Sequence, residues 1–419
     1  MVIGAMSSPN IGATDEDVRS EIIDTVRRFV AREVIPVASD LERSDTFPEA
    51  IVEQMRALGL FGVTIPEEYG GLPLPDDERL IYAMITVHEI ARADLSMSTP
   101  VYTLLTLGWS YMVNRYGTEE LKHEVLPLAA QGKTFVGINT TEPGGGSDLG
   151  AIKTTAIWNE DKQVFLLNGE KAYVSGPKEC AKLGPPSGHC TLVKTDPDSG
   201  HKGMTFIWVP AHLDGIQWTV YDDMGRMGLS TGGWIYKDVE LPRKYVLGEE
   251  GKGFYAVMDG FNTARVLVAA ACLGGAEKAL EISGEYTAQR TTFGKPLGKN
   301  EGISFEMADD YMLLDMVKLN LQRGAWMMGQ EHTNPGTFSR KEINKVISTC
   351  KCQAPPLCHD IARHGMMYHG AFGYTKETPL EMLLRGVMSY EVGAEGGLMV
   401  MRGVIARDQW GETHNPFKD

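Results

Sequence analysis

Positive charge is in short supply in this chain. Forty Lys and Arg side chains stand against fifty-five Asp and Glu over 419 residues, a net charge of −15 at neutral pH. That deficit excludes a general nucleic-acid or anionic-membrane surface, since both call for a cationic face. Cysteine is scarce as well, and six residues do not make a disulfide scaffold. Cys350, Cys352 and Cys358 follow a C-x-C-x5-C spacing that matches no zinc pattern, so buried apolar packing is expected of them and no metal is. Cys180 and Cys190 bracket a Pro/Gly loop ending in His189-Cys190, a poor bridge or ligand pair. His88-Glu89 opens like a zincin motif, but Arg92 stands where the second histidine belongs. No apolar run approaches the roughly eighteen residues of a membrane span. Met1 to Thr14 lacks a basic-then-apolar leader pattern, which makes a cytoplasmic location the default expectation.

What is present has globular proportions, with 43% hydrophobic and 23% charged residues, and the length suggests two or three domains. Thr14 and Asp17 read as a helix start, after which Val18, Ile22, Val26, Phe29 and Val30 share one face. Helical patterns continue through Ile51–Leu58, Leu80–Ala91 and Leu121–Ala130. Near Phe135 the period drops to two. Short strands then recur to Val239, with Asn168-Gly169 read as a turn between two of them. From Gly253 the helical period returns in four long segments, Phe254–Gln289, Ile303–Glu331, Arg340–His369 and Pro379–Gln409, the third with an expected break at Pro355-Pro356. The chain is thus expected to be an α+β multi-domain protein. It has an N-terminal α-helical domain (1–135), a middle antiparallel β-barrel or sandwich (136–249) and a C-terminal four-helix bundle (250–419). The glycines of Gly248–Gly253 lack the surrounding βαβ unit of a dinucleotide fingerprint.

Four segments share one pattern. Thr141-Glu-Pro-Gly-Gly-Gly-Ser-Asp148 resembles the T-E-P-x-x-G-S-D motif of the acyl-CoA dehydrogenase family. Asn168-Gly-Glu-Lys-Ala-Tyr-Val-Ser175 is similar to its N-G-x-K-x-W-I-T strand, and Arg290-Thr-Thr-Phe-Gly294 to R-x-x-F-G. Phe61-Gly-Val-Thr-Ile-Pro-Glu-Glu-Tyr-Gly-Gly71 resembles the early F-G-x-x-x-P-x-x-Y-G-G segment, and the order fits across roughly residues 15 to 410. The resemblance implies FAD, an acyl-CoA substrate, a homotetramer and an electron-transferring flavoprotein as partner. It places Ile138, Thr140 and Thr141 along the flavin edge and Tyr173, Val174 and Ser175 at its face. Tyr173 replaces a usual Trp and Ser175 a usual Thr, keeping an aromatic plane and a hydroxyl. Arg290, Thr292 and Phe293 would reach the FAD of a neighbouring subunit, with Gly370 and Gly397 as further cofactor positions. Ser147 would meet the pantetheine arm, and Arg265 would lie buried beside the substrate with Ala394 and Gly396.

The base is a matter of register. A desolvated Glu serves this chemistry because burial raises its pKa. Counting back from Ile405-Ala-Arg407 reaches Glu395; counting forward from Gly373-Tyr374 reaches Ala394. An insertion at Gly393-Ala394 reconciles the two counts and makes Glu395 the base. Ala264 excludes the alternative position on the first bundle helix. Asp94 is either a helix cap or a second proton-handling carboxylate, and Glu391 a structural or solvated residue. The small Ala394 suggests a pocket wide enough for branched or alicyclic acyl groups. The expected activity is α,β-dehydrogenation of an acyl-CoA. The alternatives are an oxidase, an eliminase or a flavin monooxygenase on the same fold, or a non-catalytic flavin- or acyl-CoA-binding oligomer. Because CoA is polyanionic, one basic mouth is expected on an otherwise acidic surface.

Overall fold

The computed structural model describes residues 16–38, 40, 42 and 46–417, so Thr14 lies outside the described residues. Among the described residues, helices α1 (Glu16–Phe29), α2 (Glu49–Ala57), α3 (Arg79–Ala93), α4 (Ser98–Tyr116) and α5 (Glu119–Ala130) precede the sheet. Val26, Phe29 and Val30 turn inward as their spacing requires. Helix α4 had no periodic signature because residues 98 to 113 are all buried; a helix wrapped on every side has no polar face to alternate with.

Eight strands follow: β1 (Val136–Asn139), β2 (Thr155–Asn159), β3 (Val164–Ser175), β4 (Gly188–Lys194), β5 (Met204–Pro210), β6 (Ile216–Val220), β7 (Thr231–Leu241) and β8 (Val246–Leu247), with a short α6 (Pro177–Leu183) between β3 and β4. Their order in one sheet is β6-β7-β3-β2-β4-β5-β8, with β1 paired to β4. The sheet is mixed rather than wholly antiparallel, since β1 runs parallel to β4 and β2 meets β4 in parallel at Thr155–Lys194. The path from β1 to β4 takes in two strands and a helix, long enough for a parallel crossover.

Asn168-Gly169 does not turn the chain. Strand β3 runs through it, with register shifts against β7 between Leu167 and Gly169 and between Lys171 and Val174. Gly169 has φ +135°, and a Cβ there would stand 2.7–2.9 Å from Thr154. The Asn168 side chain bonds across to Asp238 on β7, its Nδ2 donating to Asp238 Oδ1 and its Oδ1 accepting from the Asp238 amide. The dipeptide makes a bulge where a neighbouring backbone comes close.

The remaining helices are α7 (Gly253–Gln289), α8 (Glu301–Thr333), α9 (Arg340–His369), α10 (Leu380–Val392) and α11 (Leu398–Trp410). A small hairpin, β9 (Thr291–Thr292) and β10 (Lys295–Pro296), separates α7 from α8. Two expectations change here. Helix α9 continues through Pro355-Pro356, held along α7 on either side of the missing amides. The fourth long segment is two helices, parted at Gly393–Gly397. Helix α7 does pass a length-and-hydropathy measure for a membrane span, contrary to the reading of the sequence, but 89% of the apolar window is buried inside the fold. It is the central core helix, packed by α3, α4, α8 and α9.

Replacing Gly169 by Ala should lower the stability by roughly 2–3 kcal/mol through the Thr154 clash and the unfavourable φ. A thermal melt checks this: an unchanged midpoint would mean that β3 tolerates a Cβ at the bulge.

Candidate active site

The turn between α10 and α11 presents Glu395 at φ +47°, followed by Gly396 at φ +100°. A side chain at Gly396 would meet Met401 at 3.1 Å and Arg265 at an ordinary 3.6 Å, so it is the positive φ that calls for glycine. The amides of Gly393 and Ala394 both reach the carbonyl of Ser389, at 3.3 and 3.2 Å. Ala394 packs against the core, and Gly397, in extended conformation, opens α11.

Arg265, 6% exposed on α7, grips this turn. Its Nε donates to the Glu395 carbonyl oxygen at 2.9 Å and its Nη1 to Asn262 Oδ1 at 2.9 Å. The Phe261 ring lies 5.6 Å from the guanidinium. The backbone of Glu395 is thereby held while its carboxylate is left available. Burial raises the pKa of that carboxyl, against the opposing pull of Lys351, Arg265 and Arg226. The same burial pushes Arg265 down to about 10, with Glu395 pulling it back up. Lys351, buried in α9, donates to the Tyr390 carbonyl at 2.6 Å, and burial lowers its pKa too.

Asp94 does not belong to this chemistry. It ends α3, and its carboxylate accepts from Ser96 N at 3.0 Å, Ser96 Oγ at 2.6 Å and Thr99 N at 2.8 Å. Both oxygens are engaged in capping α4, which contradicts the second-carboxylate reading. Glu391 pairs with His359 at 3.1 Å, a structural role.

A second group of residues lines the adjoining sheet. Ile138 lies on β1 and is half-buried, and Thr140 is buried just beyond it. The Thr140 carbonyl accepts from Lys171 Nζ at 3.0 Å, and that of Thr141 from the Ala172 amide at 2.9 Å. Glu142 anchors the motif that follows. It accepts from Lys153 N, Thr154 N, Thr154 Oγ1 and Lys171 Nζ, all within 3.1 Å, leaving Ser147 exposed on the loop. On β3 Val174 is buried, while Tyr173 has φ +58° and is 69% exposed, its ring 5.4 Å from Tyr221. His189 Nε2–H donates to the Ser175 carbonyl at 2.9 Å.

The third group lies at the far end of α7, about 25 residues or roughly 37 Å of helix from Arg265. Arg290 closes the helix, Thr292 is half-buried, and Phe293 at φ +50° is fully exposed. Gly370 sits nearby, its neighbour His369 stacked on Tyr286 at 3.9 Å. The structure therefore does not bring Arg290, Thr292, Phe293 or Gly370 to the Glu395 group of the same chain.

Tyr173, Arg226, Phe293 and Glu395 are four of the seven non-glycine residues with positive φ among those described. Strained backbone gathers where function demands it. An uncovered aromatic on the bulge and a bare one on the hairpin fit a planar ring system and its adenosine end. The reading of the sequence missed Arg226 and Lys351, whose only signal was charge inside otherwise apolar or glycine-rich surroundings. Cys180, Cys190, Cys350, Cys352 and Cys358 are buried free thiols, and no metal-binding cluster occurs among the described residues.

A half-buried carboxylate on a turn held by a buried arginine, in a helical–sheet–helical chain with an uncovered aromatic on its sheet, is an arrangement suited to proton transfer beside a planar group. Family profiles make the class specific. Acyl-CoA dehydrogenase N-terminal, middle and C-terminal domains match residues 16–133, 137–239 and 251–409. The chain belongs to the acyl-CoA dehydrogenase family. It is 31% identical to an acyl-CoA dehydrogenase of Bacillus subtilis, over 93% of this chain and 97% of that one. It is 30% identical to acryloyl-CoA reductase (NADH) of Anaerotignum propionicum, over 91% and 92%. A glutaryl-coenzyme A dehydrogenase in complex with glutaryl-CoA has a TM-score of 0.87 at 26% identity, with 97% and 98% covered. A structure described with the electron transferring flavoprotein of Acidaminococcus fermentans has a TM-score of 0.85 at 25% identity, covering 96% and 100%.

Burial depresses His189 from 6.5 to about 4, so its neutral form is the one that holds Ser175. The stability this confers is complete above pH 6.5 and is lost as pH falls toward 4, about 3 kcal/mol in all. Melting temperature followed over that window should fall less steeply in His189→Gln than in the parent protein. Equal slopes would refute the assignment.

Proposed function

We propose that this protein is an FAD-dependent dehydrogenase of acyl-CoA thioesters, forming the 2-enoyl-CoA and passing electrons to an electron-transferring flavoprotein. The observation that carries the proposal is Glu395, a carboxylate of raised pKa on a turn whose backbone Arg265 holds. Glu395 removes the proton from the thioester Cα. Desolvation strengthens it as a base, while Lys351, Arg265 and Arg226 keep its charged form accessible. FAD, when bound, supplies the acceptor for the hydride that leaves Cβ. Ile138, Thr140, Thr141, Tyr173, Val174 and Ser175 would hold its ring. Arg290, Thr292 and Phe293 would serve the phosphates and adenosine of another subunit, which favours a homotetramer and ties cofactor retention to assembly. Ala394, Gly396 and Ser147 would border the substrate, and the small Ala394 favours a branched or alicyclic acyl group.

A second reading concerns direction. Two relatives are named as reductases, the acryloyl-CoA enzyme and a 3-(aryl)acrylate reductase of Clostridium sporogenes, 31% identical. The same geometry serves enoyl reduction, since a protonated Glu395 returns the proton to Cα.

Anaerobic titration with butyryl-, octanoyl-, isovaleryl- and cyclohexanecarbonyl-CoA, followed at the flavin band, tests the activity and the acyl preference. Glu395→Gln should slow bleaching roughly a hundred- to ten-thousand-fold, whereas Asp94→Asn should cost stability rather than proton transfer. Native-rate bleaching in Glu395→Gln would remove the base assignment, and a clear octanoyl preference the wide pocket. Arg290→Ala should release flavin during gel filtration while leaving each chain folded; full flavin retention would contradict the role given to the hairpin.

A further inference from the structure

The carbonyl of Tyr390, in the last turn of α10, does not receive the donor that a regular helix would give it. That donor is the Ala394 amide, four residues on, but it goes with the Gly393 amide to Ser389 instead. Tyr390 is 1% exposed, and a buried carbonyl left without a partner is costly. Lys351 Nζ supplies the missing bond at 2.6 Å. Lys351 is itself 0% exposed, a place that lysine occupies only when something there holds the ammonium.

The same stretch of α9 reaches the far side of the turn. Cys352 Sγ donates to the Leu398 carbonyl at 3.7 Å, where α11 begins. Farther along α9, His359 holds Glu391 at 3.1 Å. Near the start of α9, Asn344 Oδ1 accepts from Asn262 Nδ2 at 2.8 Å, and Asn262 in turn supports Arg265. The turn from Gly393 to Gly397 is therefore held at three points: by Lys351 before it, Arg265 within it and Cys352 after it. The Lys351 bond is the one with a backbone competitor. Without it, the Ala394 amide is the natural donor to Tyr390. That exchange would rewind the helix end by one residue, which turns the chain by about 100° and carries Glu395 out of its place.

We infer that Lys351 is a positioning residue for proton transfer, fixing the end of α10 so that the turn delivers the Glu395 carboxylate to one place. This rests on the dehydrogenase reading of the site and adds the residue that sets where the base stands. The titratable and charged groups facing Lys351 are Cys272 and Arg265 from α7, Cys352 from its own helix and Glu395 from the turn. Burial raises the Glu395 pKa, and Lys351 is the strongest of the charges opposing it, ahead of Arg265 and Arg226. Loss of the lysine should therefore also make the base harder to ionise.

Anaerobic stopped-flow reduction of the flavin-loaded enzyme by butyryl-, octanoyl-, isovaleryl- and cyclohexanecarbonyl-CoA separates the chemical step from thioester binding. Lys351→Met, uncharged and close in length, should slow the limiting rate about 10- to 100-fold while the half-saturating thioester concentration stays within about threefold. The acid limb of its rate profile should move to higher pH. Lys351→Arg, which keeps the charge and the donors, should reduce flavin faster than the Met variant and show the parent's acid limb. It also guards against a Met variant that fails to fold. A lower melting temperature with native rate and pH profile in Lys351→Met would make the lysine structural only and overturn the inference. So would a loss confined to thioester binding in either variant, a displaced acid limb in Lys351→Arg, or failure of both variants to hold flavin. A native rate in Lys351→Met beside a bleaching parent overturns this inference alone; no bleaching of the parent by any thioester overturns the dehydrogenase reading beneath it.

Discussion

The bond from Arg265 Nε to the Glu395 carbonyl oxygen is the constraint on which the rest of the site depends. It joins the central core helix to a glycine-rich turn. Gly393, Gly396 and Gly397 give that turn conformational freedom, which by itself would leave Glu395 without a defined position. A guanidinium fixed by Asn262 and Phe261 removes the freedom at one point. Because the grip is on the backbone, the carboxylate stays uncommitted. Holding a carboxylate by its backbone, without hydrogen-bonding its side chain, preserves a raised pKa.

The sheet solves a related problem by opposite means. Glu142 is fully committed, with four donors on its two oxygens, so the loop from Thr141 to Ser147 starts from a rigid point although its tip is exposed. Lys171 completes that hub and also binds the Thr140 carbonyl. With Lys171 so tied and β3 bulged immediately beyond it, Tyr173 is turned outward at positive φ. The strain at Tyr173 is sustained by paired backbone on both sides. The molecule is acidic overall, yet the charges that act on Glu395 are the cations Lys351, Arg265 and Arg226.

Much of this could be read along the chain, and the failures have physical causes. The motif at Thr141–Asp148, the strand at Asn168–Ser175 and the hairpin at Arg290–Gly294 are local, so their order survived in the linear pattern. Helix α4 was invisible because complete burial erases amphipathic period. Asn168-Gly169 was misread because the same dipeptide suits a hairpin turn and a bulge; the close approach of Thr154, fourteen residues earlier, decided between them. Pro355-Pro356 did not break α9, because packing along α7 outweighed local propensity. Asp94 was ambiguous until the amide of Thr99 was seen to hold it.

The sequence by itself determined the succession of helical, β and helical segments, the family, and the residue types the chemistry needs, since period, glycine placement and motif order are properties of the chain alone. It also singled out Glu395 as the candidate base. Tertiary structure decided which carboxylate is free and which is a cap, because that turns on donors supplied from elsewhere in the fold. It alone brought Arg226, Lys351 and Tyr390 to one place. They come from a loop and two helices apart in sequence, and no local pattern records which side chains the fold will bring around one turn.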